Sequence, residues 1–203
     1  MASPRPTARR TLENALRRSG FAHVAGADEA GRGALAGPVV AAAVVLDSRK
    51  HIAGLRDSKL LTAPRRERLY VEITASARWA VASAPPEAVD RLNVHRASLD
   101  ALRRAILALE PQPAFALVDG FRVPDLDLPQ RAVVGGDRRC AAIAAASIVA
   151  KVIRDREMVR LHGVDPRYGF DRHKGYATRA HVDAVARFGY SDVHRRSFRP
   201  RSL

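Results

Sequence analysis

Gly26-Ala27-Asp28-Glu29-Ala30-Gly31-Arg32-Gly33-Ala34-Leu35-Ala36-Gly37-Pro38 sets two adjacent carboxylates directly before a turn with three glycines and one arginine. The flanking runs, Phe21 to Ala27 and Val39 to Leu46, are apolar and bounded by Gly and Pro, which predicts two short strands. Strand, acid pair, glycine loop, strand is a layout suited to chemistry. Glycine lets the backbone approach a ligand closely and adopt positive φ, while carboxylates are hard oxygen ligands for a divalent cation. Consecutive side chains of a regular strand point to opposite faces. The expectation is therefore that the strand ends at the pair, the chain leaving the extended conformation at Glu29 so that both acids reach one pocket. Taken alone, the same residues also fit a solvated turn.

Working outward, Thr62 before Ala63-Pro64 predicts a helix from about Ala63 to Ala75. Trp79 to Ala84 reads as a third strand. Pro85-Pro86-Glu87 opens a helical stretch to about Glu110, breaking near Asn93, with Leu92, Leu99, Leu102, Ile106 and Leu109 on its apolar face. Phe115-Ala116-Leu117-Val118-Asp119-Gly120 is a strand ending in an acid and a glycine, and Arg131 to Asp137 repeats that ending as Gly135-Gly136-Asp137. Asp28, Glu29, Asp119 and Asp137 thus fall at the carboxyl ends of strands, where open α/β sheets bind ligands. A helix from about Arg139 to Leu161 follows, with an alanine-rich first half fit to pack under a sheet. Its Ser147, Lys151 and Asp155 recur at i, i+4 and i+8. A last helix is expected from Thr178 to Phe188.

The 203 residues allow one well-buried domain, with or without a small appendage. No apolar run approaches the roughly 20 residues of a membrane helix. A single cysteine, Cys140, excludes an intramolecular disulfide and a cysteine-based zinc cluster, and fits a reducing compartment. The net charge is +14, distributed as +4 over residues 1–20, +1 over 21–137 and +9 over 138–203. Such basic ends around a nearly neutral middle suit a nucleic-acid partner, because Arg and Lys displace counterions from phosphates. In the basic tail, Tyr176 interleaves with cations in Arg172-His173-Lys174-Gly175-Tyr176, as a groove for sugar or base packing would need. Met1 to Gly20 is Arg-rich and lacks the long apolar core of a secretory signal. It reads as a basic arm leading into a short helix, Thr11 to Arg18, with Glu13 in its first turn.

Carboxylates gathered at one sheet edge repel unless divalent cations neutralise them. With oxygen-only ligands the expected cofactor is Mg²⁺ or Mn²⁺. Two such ions about 4 Å apart suit in-line attack on a phosphodiester, which points to a metal-dependent nuclease.

Six motifs, in order, carry a family resemblance: Asp28-Glu29-Ala30-Gly31-Arg32-Gly33, Asp57-Ser58-Lys59, Val118-Asp119-Gly120, Gly136-Asp137, Ala145 to Asp155, and His173 to Thr178. Together they resemble bacterial ribonuclease HII from about Phe21 to Phe198. The resemblance implies an α/β, RNase H-like mixed central sheet flanked by helices, with a helical C-terminal region. It divides the chain into a basic arm (1–20), a catalytic domain (21–162) and a basic helical region covering the substrate groove (163–203). It implies that Asp28, Glu29, Asp119 and Asp137 bind metal and act in catalysis. Gly31, Arg32 and Gly33 would read the ribose 2′-hydroxyl, and Tyr176 would pack on the adjoining deoxyribose. Ser58, Lys59, Ser147 and Lys151 would lie near substrate phosphates. The implied substrates are RNA–DNA hybrids and DNA with embedded ribonucleotides, cut 5′ to the ribonucleotide, by a monomeric, cytoplasmic protein without membrane contact. Two other readings stay open on the residues: a different nuclease or recombinase of the RNase H-like group, and a non-catalytic nucleic-acid-binding protein.

Overall fold

The computed structural model describes residues 7–198. From the amino end, α1 (Thr11–Arg18) leads into β1 (Val24–Ala30) and β2 (Val39–Val45), then α2 (Ala63–Ser76) and β3 (Arg78–Ala84). Two consecutive helices, α3 (Pro86–Leu92) and α4 (Val94–Leu107), precede β4 (Phe115–Asp119) and β5 (Gln130–Val133). The short α5 (Gly136–Arg139) and the long α6 (Ala141–Val164) follow, then α7 (Phe170–His173) and α8 (Arg179–Phe188). Expectations that fall on residues 1–6 and 199–203 lie outside the described residues.

The sheet has the order β3-β2-β1-β4-β5. β3, β2 and β1 pair antiparallel, while β1, β4 and β5 are parallel, so the sheet is mixed. One face, with Val24, Ala42, Val44 and Leu117, packs on the alanine-rich half of α6. The other, with Ala25, Ala27, Ala41, Ala43 and Val118, packs on Ala97, Ala101, Leu102 and Ala105 of α4. Small residues on both partners let α6 lie very close to β1. A Cβ on Gly26 would fall 2.2 Å from the Ala142 carbonyl carbon, so no larger residue fits there without moving the helix. Residues 141–150 of α6 are buried all round, as expected of a helix that is apolar on every side. Among the described residues no helix is long and apolar enough to cross a membrane.

Several boundaries differ from the sequence reading. The last strand ends at Val133 rather than at Asp137, because Gly135, at φ +62°, turns the chain into α5, where Asp137 lies. β1 begins at Val24 rather than Phe21, because the Phe21 N–H closes the end of α1 on the Leu16 carbonyl. β1 also continues through both acids to Ala30, held by its ladder to β2, rather than ending at Glu29. The helix expected from Arg139 is broken into α5 and α6 at Cys140, whose extended backbone pairs with Arg9. The break expected near Asn93 is present: Asn93 has φ +65°, and its side chain accepts the Arg96 N–H at the start of α4. Residues 8–18 lie against the body, with the Ala8 N–H on the Leu55 carbonyl and the Ala141 N–H on the Arg9 carbonyl.

Candidate active site

β4 pairs with β1 only as far as Val118 opposite Ala27. Beyond that point β1 carries Asp28 and Glu29 past the end of its parallel neighbour, whose last residue is Asp119. This open edge explains how two consecutive strand residues share one site. Asp28 leans toward α6 and Glu29 toward the opposite side, and both reach the gap that β4 leaves. A cleft of about 430 Å³ forms there, lined by Asp28, Glu29, Gly31, Arg32, Gly33, Ser58, Lys59, Asp119, Ser147, Lys151 and Tyr176. Of the site residues expected from sequence, only Asp137 is absent from this lining. It is the second residue of α5, and Gly136 beside it donates its N–H to Asp119 Oδ1 at 2.7 Å.

The carboxylates are strained electrostatically. Burial pushes the Asp28 carboxyl well above its ordinary range, and the charges of Glu29 and Asp119 push it further. Hydrogen bonds from the Ser147 hydroxyl and the Glu29 N–H, the latter at 2.7 Å, oppose that rise. Glu29 is also raised by burial, against the pull of Arg32 Nη1 at 3.1 Å from its Oε1. Asp137 is raised to about 6 by burial and by the charges of Asp57 and Asp119, with Lys59 and Arg138 acting the other way.

The remaining groups are held by local contacts. The Asp57 side chain accepts the Lys59 N–H at 2.9 Å, closing the short 3₁₀ turn that points Lys59 at the cleft. Ser58 and Ser147 hydroxyls lie 2.9 Å apart. Lys151 Nζ sits 2.6 Å from Asp155 Oδ1, and Arg66 holds the other oxygen of that carboxylate at 3.2 Å. The Tyr176 ring closes the far wall, with Lys151 Nζ 5.7 Å and the Arg154 guanidinium 5.3 Å from its centroid.

A divalent cation fits the donor set, since the carboxylates are hard oxygen ligands whose mutual repulsion a cation would relieve. Among the described residues no three acidic, histidine or cysteine side chains close on one point.

Sequence reasoning missed two parts of this neighbourhood. Arg154 lies beneath Tyr176, and its place seven residues after Ser147 and three after Lys151, on one helical stripe, is the signal that could have found it. Phe121, half exposed, lies 5.8 Å beneath the Arg32 guanidinium and edge-on to His95. No spacing rule marks it, because the contact depends on how the β4 turn folds back.

Comparison with known proteins agrees with this architecture. Residues 25–200 match the family model described as Ribonuclease HII. A ribonuclease HII from Xanthobacter autotrophicus is 56% identical over 190 residues, covering 94% of this chain and 76% of the relative. One from Paracoccus denitrificans is 54% identical over 191 residues, covering 94% and 91%. Among solved structures, the RNase HII of Archaeoglobus fulgidus, determined in complex with PCNA, superposes with a TM-score of 0.74 at 30% identity, covering 88% of this chain and 96% of that one. The ribonuclease H2 of Pyrococcus horikoshii gives 0.71 at 25% identity, covering 87% and 93%. With a mixed sheet of this topology, an acid-lined edge and a family match over nearly its whole length, the chain belongs to the ribonuclease HII family, the type 2 ribonucleases H.

Proposed function

We propose that the chain is a metal-dependent endoribonuclease that hydrolyses the RNA strand of RNA–DNA hybrids and cuts 5′ to single ribonucleotides in duplex DNA, leaving a 5′-phosphomonoester. The observation that carries this reading is that one cleft is lined by Asp28, Glu29 and Asp119 and also by Gly31, Gly33 and Tyr176. Acids alone would suit many nucleases. A glycine backbone and an aromatic ring beside them suit recognition of one sugar that differs by a hydroxyl.

In this reading Asp28, Glu29, Asp119 and Asp137 hold Mg²⁺ or Mn²⁺. When bound, two such ions lower the pKa of an attacking water and offset charge on the leaving oxygen. Asp119 is pre-aimed by its bond from the Gly136 N–H, and Asp28 by its bonds from Ser147 and the Glu29 N–H. Main-chain groups of Gly31, Arg32 and Gly33 meet the ribose 2′-hydroxyl, and the Tyr176 ring packs on the adjoining deoxyribose. Lys59 and Lys151, with the Ser58 and Ser147 hydroxyls, face substrate phosphates. Residues 21–162 then form the catalytic domain, and the region from 163 to 198 covers the groove.

The test is an end-labelled duplex with one ribonucleotide, beside an all-DNA duplex and an RNA–DNA hybrid, with Mg²⁺, Mn²⁺ or EDTA. Metal-dependent cutting immediately 5′ to the ribonucleotide is expected, with the all-DNA duplex intact. Asp119→Asn should lower the rate by about 10³-fold or more, roughly 4 kcal/mol of barrier, while binding persists in Ca²⁺. A wild-type rate in that variant would remove Asp119 from the metal site.

A further inference from the structure

Arg154 and Arg195 are each fully buried, at 0% exposure. Among the described residues neither guanidinium has a carboxylate within ion-pair distance. A buried charge without a counter-ion is tolerated only when hydrogen bonds saturate it. Carbonyl oxygens do so here. Arg154 Nε, Nη1 and Nη2 donate to the carbonyls of Pro38, Lys174 and Ala36 at 2.9, 3.1 and 3.2 Å. Arg195 Nε and Nη2 donate to the Gly37 carbonyl at 3.0 and 2.8 Å, and its Nη1 to the Arg32 carbonyl at 2.9 Å.

All of these acceptors belong to two stretches of chain. One is 32–38, the continuation of the glycine loop. The other is Lys174, two residues before Tyr176. Backbone bonds stitch the same pieces together: Leu35 and Ala36 N–H donate to the Gly175 carbonyl, Gly37 N–H to Val193, and Arg195 N–H to Leu35. Arg154 also lies directly between Gly31 and Tyr176. A Cβ on Gly31 would fall 1.9 Å from its Nε, and its guanidinium is 5.3 Å from the Tyr176 ring centroid. Burial and the charge of Arg154 push the Arg195 guanidinium down to about 10, still a cation at neutral pH, and burial lowers that of Arg154 as well, so the two positive groups oppose each other. Two repelling buried cations would be a poor choice for stability alone, and each is a fork that fixes several carbonyls at once.

We propose that Arg154 and Arg195 are positioning residues for ribonucleotide recognition, a buried clamp that sets the spacing between the Gly31–Gly33 backbone and the Tyr176 ring. The proposal rests on the reading above, in which that backbone meets the ribose and that ring the adjoining deoxyribose. A single embedded ribonucleotide offers one register in which both contacts form. A long hybrid offers a ribose at every step and no deoxyribose on the cleaved strand, so its cleavage depends less on the spacing.

The experiment compares Arg195→Lys and Arg154→Lys with wild type, measuring kcat/KM on the single-ribonucleotide duplex and on a long RNA–DNA hybrid, with Tm in parallel. Lysine keeps the charge and loses the fork. Each variant is expected to lose about tenfold or more on the single ribonucleotide and less than about threefold on the hybrid, since small misplacements near reacting groups are costly. A merely structural role would lower both substrates together, and that result, or an unchanged ratio, overturns the clamp. Wild type that cuts the hybrid but not the single ribonucleotide would overturn the reading of the loop and, with it, the proposal. If either lysine variant fails to fold, Phe198→Ala removes the ring 5.2 Å from the Arg195 guanidinium while leaving its donors in place. The same direction of change in the ratio is then required.

Discussion

Gly31 and Gly33 look alike in sequence and sit in different surroundings. Gly31 has φ +94°, and a side chain there would collide with Arg154. Gly33 is exposed, and a Cβ there would meet nothing of this protein within 4 Å. Gly31→Ala should therefore cost about 1–2 kcal/mol from backbone strain alone, with more from displacing Arg154. Gly33→Ala should leave Tm nearly unchanged and lower kcat/KM on a single-ribonucleotide duplex, because the added methyl occupies the space through which the substrate approaches. Thermal unfolding and cleavage of both variants check this, and wild-type cleavage by Gly33→Ala would remove the loop from substrate recognition. The acid pair carries a related lesson. Strand alternation was the right objection to a shared site, but the chain does not leave the strand at Glu29. The neighbouring strand stops first, and no local sequence signal says where a neighbour stops.

The long helix α6 was legible from its alanine-rich run and its apolar periphery, whereas its beginning was not. Its flanking residue Cys140 supplies no side-chain cap. Glu13 of α1 does so from a distance in sequence of 129 residues, its Oε1 accepting the Ala142 N–H at 2.8 Å. Glu13 is 1% exposed, although in sequence it reads only as an acid in the first turn of its own helix. Glu13→Ala leaves that N–H buried and unpaired, and should destabilise the protein by about 1–3 kcal/mol in denaturant unfolding. Cleavage by the folded fraction should stay near wild type, since α1 lies outside the acid-lined cleft. A stability loss within error would mean that water or another group takes over the cap. The helix pair α3 and α4 shows the opposite case: Asn93, a residue that tolerates positive φ, marked the break within a few letters of sequence.

Across the whole molecule, the C-terminal region is tied to the site through a chain of neutral histidines. The Ser191 N–H donates to His194 Nδ1 at 3.0 Å, so the His194 proton sits on Nε2 and is donated to His181 Nε2 at 3.0 Å. His181 in turn donates from Nδ1 to the Tyr176 carbonyl at 3.0 Å. Burial, and then the neighbouring imidazoles, push His181 and His194 each down to about 4. Between that value and the ordinary value near 6.5 the unfolded chain binds more protons, so stability is complete above about pH 6.5 and falls as pH drops toward 4. The loss is on the order of 3 kcal/mol for each histidine. The raised carboxyls Asp28, Glu29 and Asp137 act with the opposite sign. The check is therefore a difference: Tm of wild type and of a His181→Gln/His194→Gln variant, followed from pH 7 to 4. The variant should fall less steeply, and equal slopes would show that the pair does not titrate in this window. The basic ends, the α/β class, the order of strands and helices and the placing of Asp119 at the end of a strand were set by composition, hydrophobic period and Gly/Pro punctuation, all of which act over a few neighbouring residues. Tertiary structure alone decided that Asp28 and Glu29 share an edge, that Glu13 caps a helix far along the chain, and that Arg154 and Arg195 are buried beneath the glycine loop. Those outcomes depend on which distant segments meet in space, and a carbonyl that accepts a buried guanidinium leaves no mark on the side-chain sequence.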